Sequence, residues 1–197
     1  MPTSELNIKT SKIVSFRSGK EWHRWLSANH AKTDEGVWLR LFKKDSGQAT
    51  VTYDEALDEA LCYGWIDGQK RTHDSVSWIQ RFTPRRKRSM WSKRNRQHVA
   101  RLIKEKRMTT AGLREIKAAK KDGRWDGAYD SPKNMKIPVV FLRRLQKNKQ
   151  AYAFFKTLNK ANTYAIAWRL QTAVKPETKE RRMQALLDML EQGKKIH

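Results

Sequence analysis

The sequence holds one cysteine, Cys62. No intramolecular disulfide can form, which excludes the stapled scaffolds of small secreted proteins and suits a reducing compartment. No window approaches the ~18 uninterrupted apolar residues that a membrane-spanning helix needs. The opening MPTSELNIKT has neither the basic nor the apolar stretch of a secretory signal. These absences predict a soluble cytoplasmic chain with no transmembrane segment. No Cys/His or His/Glu spacing of a metal site is present, and neither is an RNP or KH nucleic-acid motif. The expectation is therefore no metal and no cofactor. No nucleophile–base spacing stands out either, so the sequence reads as a non-catalytic module. Apolar residues are sparse, at 38% of 197 residues, against about 45–50% in ordinary globular chains.

Acidic residues are scarce too: 20 Asp and Glu stand against 43 Lys and Arg, for a formal net charge of +23. A chain so basic attracts polyanions, whether DNA, RNA, anionic lipid or acidic protein surfaces. Eight tryptophans argue against disorder, since disordered segments are poor in aromatics.

The periodicities predict an α+β fold. Ser18 begins a helix at SGKEWHRWL, with Glu21 at capping-box spacing and Trp22, Trp25 and Leu26 on one face. VWLRLF after Gly36 reads as a strand. Thr52 and Glu55 form a second capping box, and Tyr53, Ala56, Leu57, Ala60 and Leu61 make an apolar stripe up to Gly64 at the helix end. WIDGQKR and SVSWIQRF read as two strands joined by a turn at THD. The order over the first ~85 residues is helix, strand, helix, strand, strand. Two helices follow, at SMWSKRNRQHVARLIKEKRM, with Trp91, Val99, Leu102 and Ile103 inward, and at TAGLREIKAAKKDG. Then come the loop GRWDGAYDSPKN and three short helices separated by Asn. The last helix opens at Pro176 and carries Met183, Leu186, Leu187 and Leu190 on one face. This divides the chain into an α+β domain over residues 1–130 and a helical region over 131–197, packed on or beside it.

Two kinds of candidate site follow. The first is basic. RFTPRRKRSMWSKRN brings together Arg81, Arg85, Arg86, Lys87, Arg88, Lys93 and Arg94, with Arg96 just beyond; Lys70, Arg71 and Arg124 are further candidates. Arginine suits bidentate phosphate contact, and Phe82 and Trp91 are candidates for base stacking. The competing reading is a solvated basic turn with its aromatics in the core. The second kind is a pair of Gly- and Asp-containing aromatic loops, GWIDG and GRWDGAY. Here Trp65, Asp67, Trp125 and Tyr129 would line a small-ligand or enzyme pocket. The competing reading has Gly64 ending a helix, Trp65 filling the core, Asp67 capping a turn, and Trp125 and Tyr129 pinning a loop. Cys62 points away from the apolar stripe at 100° per residue, so it falls outside that core face, yet no histidine stands at a spacing that marks a base. Asp54, Glu55, Asp58 and Glu59 read as an acidic face that docks basic residues.

Taken together, VTYDEALDEALCYGWIDGQKR, RFTPRRKRSMWSKRN, MTTAGLREIKAAKKDGRWDGAY and KPETKERRMQALLDMLEQGKK resemble the YdeI/OmpD-associated, or bacteriocin-protection, family, in order from about residue 15 to 193. The resemblance implies a small YjbR/CyaY-like antiparallel sheet with packed helices, a link to bacteriocin or antimicrobial-peptide tolerance, and nucleic-acid contact. It supplies no catalytic residues.

Overall fold

The computed structural model of the chain describes residues 12–131 and 133–197. Among them are four strands and eight α-helices. The strands are β1 (Ile13–Ser15), β2 (Val37–Phe42), β3 (Trp65–Thr72) and β4 (Ser77–Pro84). The helices are α1 (Gly19–Asn29), α2 (Tyr53–Cys62), α3 (Lys93–Lys104), α4 (Thr110–Lys121), α5 (Val139–Lys147), α6 (Lys149–Lys156), α7 (Lys160–Gln171) and α8 (Pro176–Glu191). The fold is α+β, with its helices concentrated in the C-terminal half.

Two compact units divide the chain. The first extends to Ser89 and resumes over His98–Ala118; the second comprises Met90–Gln97 and Ala119–His197. The boundary thus crosses α3 and α4.

In the first unit the sheet order is β1-β2-β4-β3. β2–β4 and β3–β4 are antiparallel. β1 joins β2 in parallel, so the sheet is not purely antiparallel, and a strand of three residues is too short to show a period. Register sets the faces. Trp38 pairs with Arg81 and Arg40 with Ile79, which also pairs with Arg71. Trp38, Arg40, Arg71, Ile79 and Arg81 therefore share one face, because facing residues of an antiparallel pair point the same way. Val37, Leu39, Leu41 and Phe82 point to the other, where α1 packs: the Trp22 ring lies 5.8 Å from Phe82 and its Nε1 donates to the Ala56 carbonyl at 3.1 Å. Trp22, Trp65 and Phe82 are at most 1% exposed.

The helix starts follow their caps. The Ser18 hydroxyl accepts from the Glu21 amide, but the Glu21 carboxylate accepts from the Arg17 amide, one residue outside the expected box. Thr52 and Glu55 form the full reciprocal box at α2. Gly64 follows α2 at φ +74°, the left-handed conformation expected of a glycine after a helix. A Cβ there would meet Glu115 Cγ at 3.0 Å and the Ala111 carbonyl at 3.2 Å. Gly112 permits an even closer approach: its Cβ would lie 2.4 Å from the Cys62 carbonyl oxygen. That carbonyl accepts from both the amide and the hydroxyl of Thr109.

This docking of α4 corrects the placement of Cys62 off the core. Cys62 is 1% exposed, at the point where Thr109 and Gly112 bring the start of α4 against the end of α2. Ile103, expected inward on α3, is 47% exposed, whereas Val99 and Leu102 are buried.

In the second unit, Phe141, Leu145, Ala151, Ile166, Leu170, Met183, Leu186 and Leu190 form one core cluster. Asn148 and Asn159 cap α6 and α7 through their side chains, accepting from the Ala151 and Asn162 amides. These caps give the three short helices their asparagine punctuation.

Candidate functional site

The predicted basic residues fall in both units. In the first, Lys70 is exposed, with its ammonium 4.2 Å from the centre of the Trp78 ring. The guanidiniums of Arg71 and Arg81 lie 5.3 and 5.7 Å from the Trp38 ring, and Arg81 donates to the Glu35 carbonyl at 2.9 Å. Such cation–π contacts hold the charge at the surface while the stem covers apolar area. Arg85 is 7% exposed, and its amide donates to the Gly64 carbonyl. Arg86, Lys87 and Arg88 are all exposed. A tight turn presents them: the Ser89 hydroxyl accepts from the Arg86 amide while the Ser89 amide donates to the Arg86 carbonyl. None of these three forms an ion pair with a described carboxylate.

In the second unit, Lys93 pairs with Asp130 at 2.8 Å. Arg94 is exposed. Arg96 donates to the Trp125 carbonyl and stacks on the Trp125 ring at 5.0 Å. Arg124 is 8% exposed and held by Asp122 at 2.8 Å. The segment read as one run, 81–96, is thus divided between units.

The aromatic candidates are largely interior. Trp65, Phe82 and Trp91 are at most 1% exposed, so none presents a ring face to an external base. Trp125 is half-buried against Trp91, ring centres 5.0 Å apart. Tyr129 is half-buried, 6.1 Å from the Trp168 ring, and its amide and carbonyl bond the Trp91 carbonyl and Lys93 amide. Asp67 accepts from the Tyr53 hydroxyl at 2.7 Å. GWIDG lies in the first unit and GRWDGAY in the second.

Two features of the first unit go beyond what the sequence marked. One is a charge network on α2. Asp58 accepts from His98 Nδ1 at 2.7 Å and Arg101 at 2.5 Å. Burial alone would raise its carboxyl, but the hydrogen bonds and charges of Arg101 and His98 hold it below its ordinary value. Glu59 accepts from Arg107 and from His23 Nδ1, each at 2.7 Å. A carboxylate accepts only, so His23 donates through Nδ1, and its Nε2 can receive the Tyr63 hydroxyl at 3.2 Å. Beneath this network burial, reinforced by Glu59, pushes the Cys62 thiol up to about 12. A thiol so raised is almost wholly protonated at neutral pH and is a poor nucleophile.

The other feature is a cavity of about 160 Å³. Its walls are His30 after α1, Tyr63, Gly64 and Trp65 at the α2–β3 junction, Arg85 after β4, and Ala111, Arg114 and Glu115 on α4. Gly64, Trp65 and Arg85 belong to the candidate sites read from the sequence, while Ala111, Arg114 and Glu115 fall in a segment quoted only for its family resemblance. His30 and the α4 residues lie far along the chain and at no diagnostic spacing.

No described helix is long and apolar enough to cross a membrane, and no group of described His, Cys, Asp and Glu side chains is arranged to hold a metal ion. Residues 134–193 match the family profile described as Bacteriocin-protection, YdeI or OmpD-Associated; the match supports that part of the resemblance, while the YjbR/CyaY-like grouping finds no support. No curated protein and no solved structure matches the chain. A second profile covers residues 14–115, just over half of the chain, and by that match the protein belongs to the family described as Domain of unknown function (DUF8412).

Proposed function

We propose that this protein is a cytoplasmic polyanion-binding module, that nucleic acid is its partner, and that the β3–β4 strands and the turn after them make the contact. The observation that carries this reading is the turn itself: Arg86, Lys87 and Arg88 are consecutive, exposed and without an ion pair to a described carboxylate. Three unanswered cations on so short a segment repel one another, and an anion relieves that repulsion. Lys70, Arg71 and Arg81 extend the charge along the strands. Phosphate contacts dominate such binding, and base stacking on Phe82, Trp65 or Trp91 has no part in it. The description of the profile matched by residues 134–193 supports a further role in tolerance of bacteriocins, which survival of a deletion strain under bacteriocin challenge tests.

Six phosphate contacts give a log K against log salt slope of about −5 on duplex DNA. Replacing Arg86, Lys87 and Arg88 together with Ala is expected to halve that slope. A flat salt response of the wild type, or a slope unmoved by the triple substitution, refutes the reading.

A further inference from the structure

We infer that the cavity between the α2–β3 junction and α4 binds a phosphate group. This goes beyond the polyanion reading: the ligand is one small group, and the residues that select it are Arg114 and Glu115 rather than the 86–88 turn.

Size narrows the class of occupant. At about 160 Å³ the space exceeds many times the ~10–15 Å³ that a water requires. It falls well short of the ~300–1,000 Å³ of sites for drug-sized molecules. The occupant therefore has few atoms, or is the end group of something larger.

Charge narrows it further. Two arginines, Arg85 and Arg114, line the cavity with one acidic residue, Glu115. The formal balance of the wall is positive. Arg85 is 7% exposed, so its charge acts on a neighbouring anion through little intervening water. Guanidinium is also the side-chain group whose planar fork grips phosphate oxygens two at a time. Ala111, in the first turn of the 12-residue α4, forms another part of the wall.

The floor is fixed rather than adaptable. Gly64 holds φ +74°, and even one added carbon would crowd Glu115 Cγ and the Ala111 carbonyl. The Trp65 indole, whose Nε1 donates to the His30 carbonyl at 3.1 Å, ties a second wall to the end of α1. Arg85 stands on that floor, its amide donating to the Gly64 carbonyl at 3.0 Å, and a preset wall lowers the cost of binding.

Calorimetric titration of the full chain with inorganic phosphate tests the assignment. Saturable one-to-one binding is expected. Arg114→Gln is expected to weaken it about tenfold, the loss of one charge-assisted contact. Glu115→Gln is expected to tighten it severalfold by removing the opposing charge. Arg85→Gln removes a buried group and can unfold the unit, so the decision rests on the two α4 variants, whose side chains are more accessible. The triple Ala variant of residues 86–88 keeps phosphate binding unchanged, and Arg114→Gln keeps the oligonucleotide salt slope unchanged, so the two readings fail separately. Competition by a 5′-phosphorylated oligonucleotide, but not by its dephosphorylated counterpart, identifies the group as a strand end; competition by neither identifies free phosphate. No saturable binding below about 10 mM, or equal affinity in wild type, Arg114→Gln and Glu115→Gln, overturns the inference.

Discussion

Two cation-rich stretches of the first unit, residues 98–107 and 85–88, look alike in sequence and differ in space. The first meets the acidic side of α2. Arg101 and His98 converge on Asp58, Arg107 reaches Glu59, and Glu105 bridges Arg101 and Arg107. Its charges are answered within the fold. The second ends in Arg86, Lys87 and Arg88, which no described carboxylate answers. The contrast teaches that a cluster of arginines says little until its carboxylates are located. Here they sit on a helix some forty residues earlier in the chain, so no local count distinguishes glue from bait.

Substitutions can break this contrast, and they rank by expected size. Asp58→Ala is expected to cost most, about 2 kcal/mol in denaturant unfolding, because it removes the carboxylate on His98 and leaves Arg101 with Glu105 alone. An unchanged midpoint would dissolve the distinction. Acid comes next. The folded Asp58 carboxyl titrates below its ordinary 3.8, so in that range the unfolded chain binds more protons. The stability it contributes is present above pH ~4 and is lost as pH falls through the lower, folded value. Asp58→Asn should remove that share of the acid dependence; parallel pH curves for variant and wild type would assign it to other carboxylates. Arg107→Ala follows, at about 0.5–1 kcal/mol, since its side chain is 38% exposed and water screens it. Smallest is the triple Ala variant of the turn, whose stability should stay within about 0.5 kcal/mol of wild type. A large loss there would show that the turn, too, is structural.

Local patterns carried most of the architecture. The strands VWLRLF, WIDGQKR and SVSWIQRF, the Thr52–Glu55 box, the glycine after α2, and the Asn-capped helices of the C-terminal half all depend on neighbours within a few residues. That is where caps, turns and periodicity act. What escaped was tertiary. Helix periodicity placed Cys62 outside the apolar stripe, correctly for α2 alone, but the residue is buried where the start of α4, more than forty residues on, meets the end of α2. Ile103 fails in the opposite sense, apolar by type and left outside. The acidic face of α2 was legible as a docking surface for basic residues, though its particular partners were not. The cavity beside α4 was least legible, because its walls come from four elements and Arg114 and Glu115 stand on a helix at no spacing that marks a site.

β3 closes one side of the described sheet, and its ladder with β4 is interrupted between Asp67 and Lys70. Beyond that break the outermost strand carries Lys70 and Arg71. An irregular, positively charged border offers a poor template for a second molecule's backbone. Whatever else those two side chains attract, they discourage the protein from stacking onto itself into fibrils at high concentration.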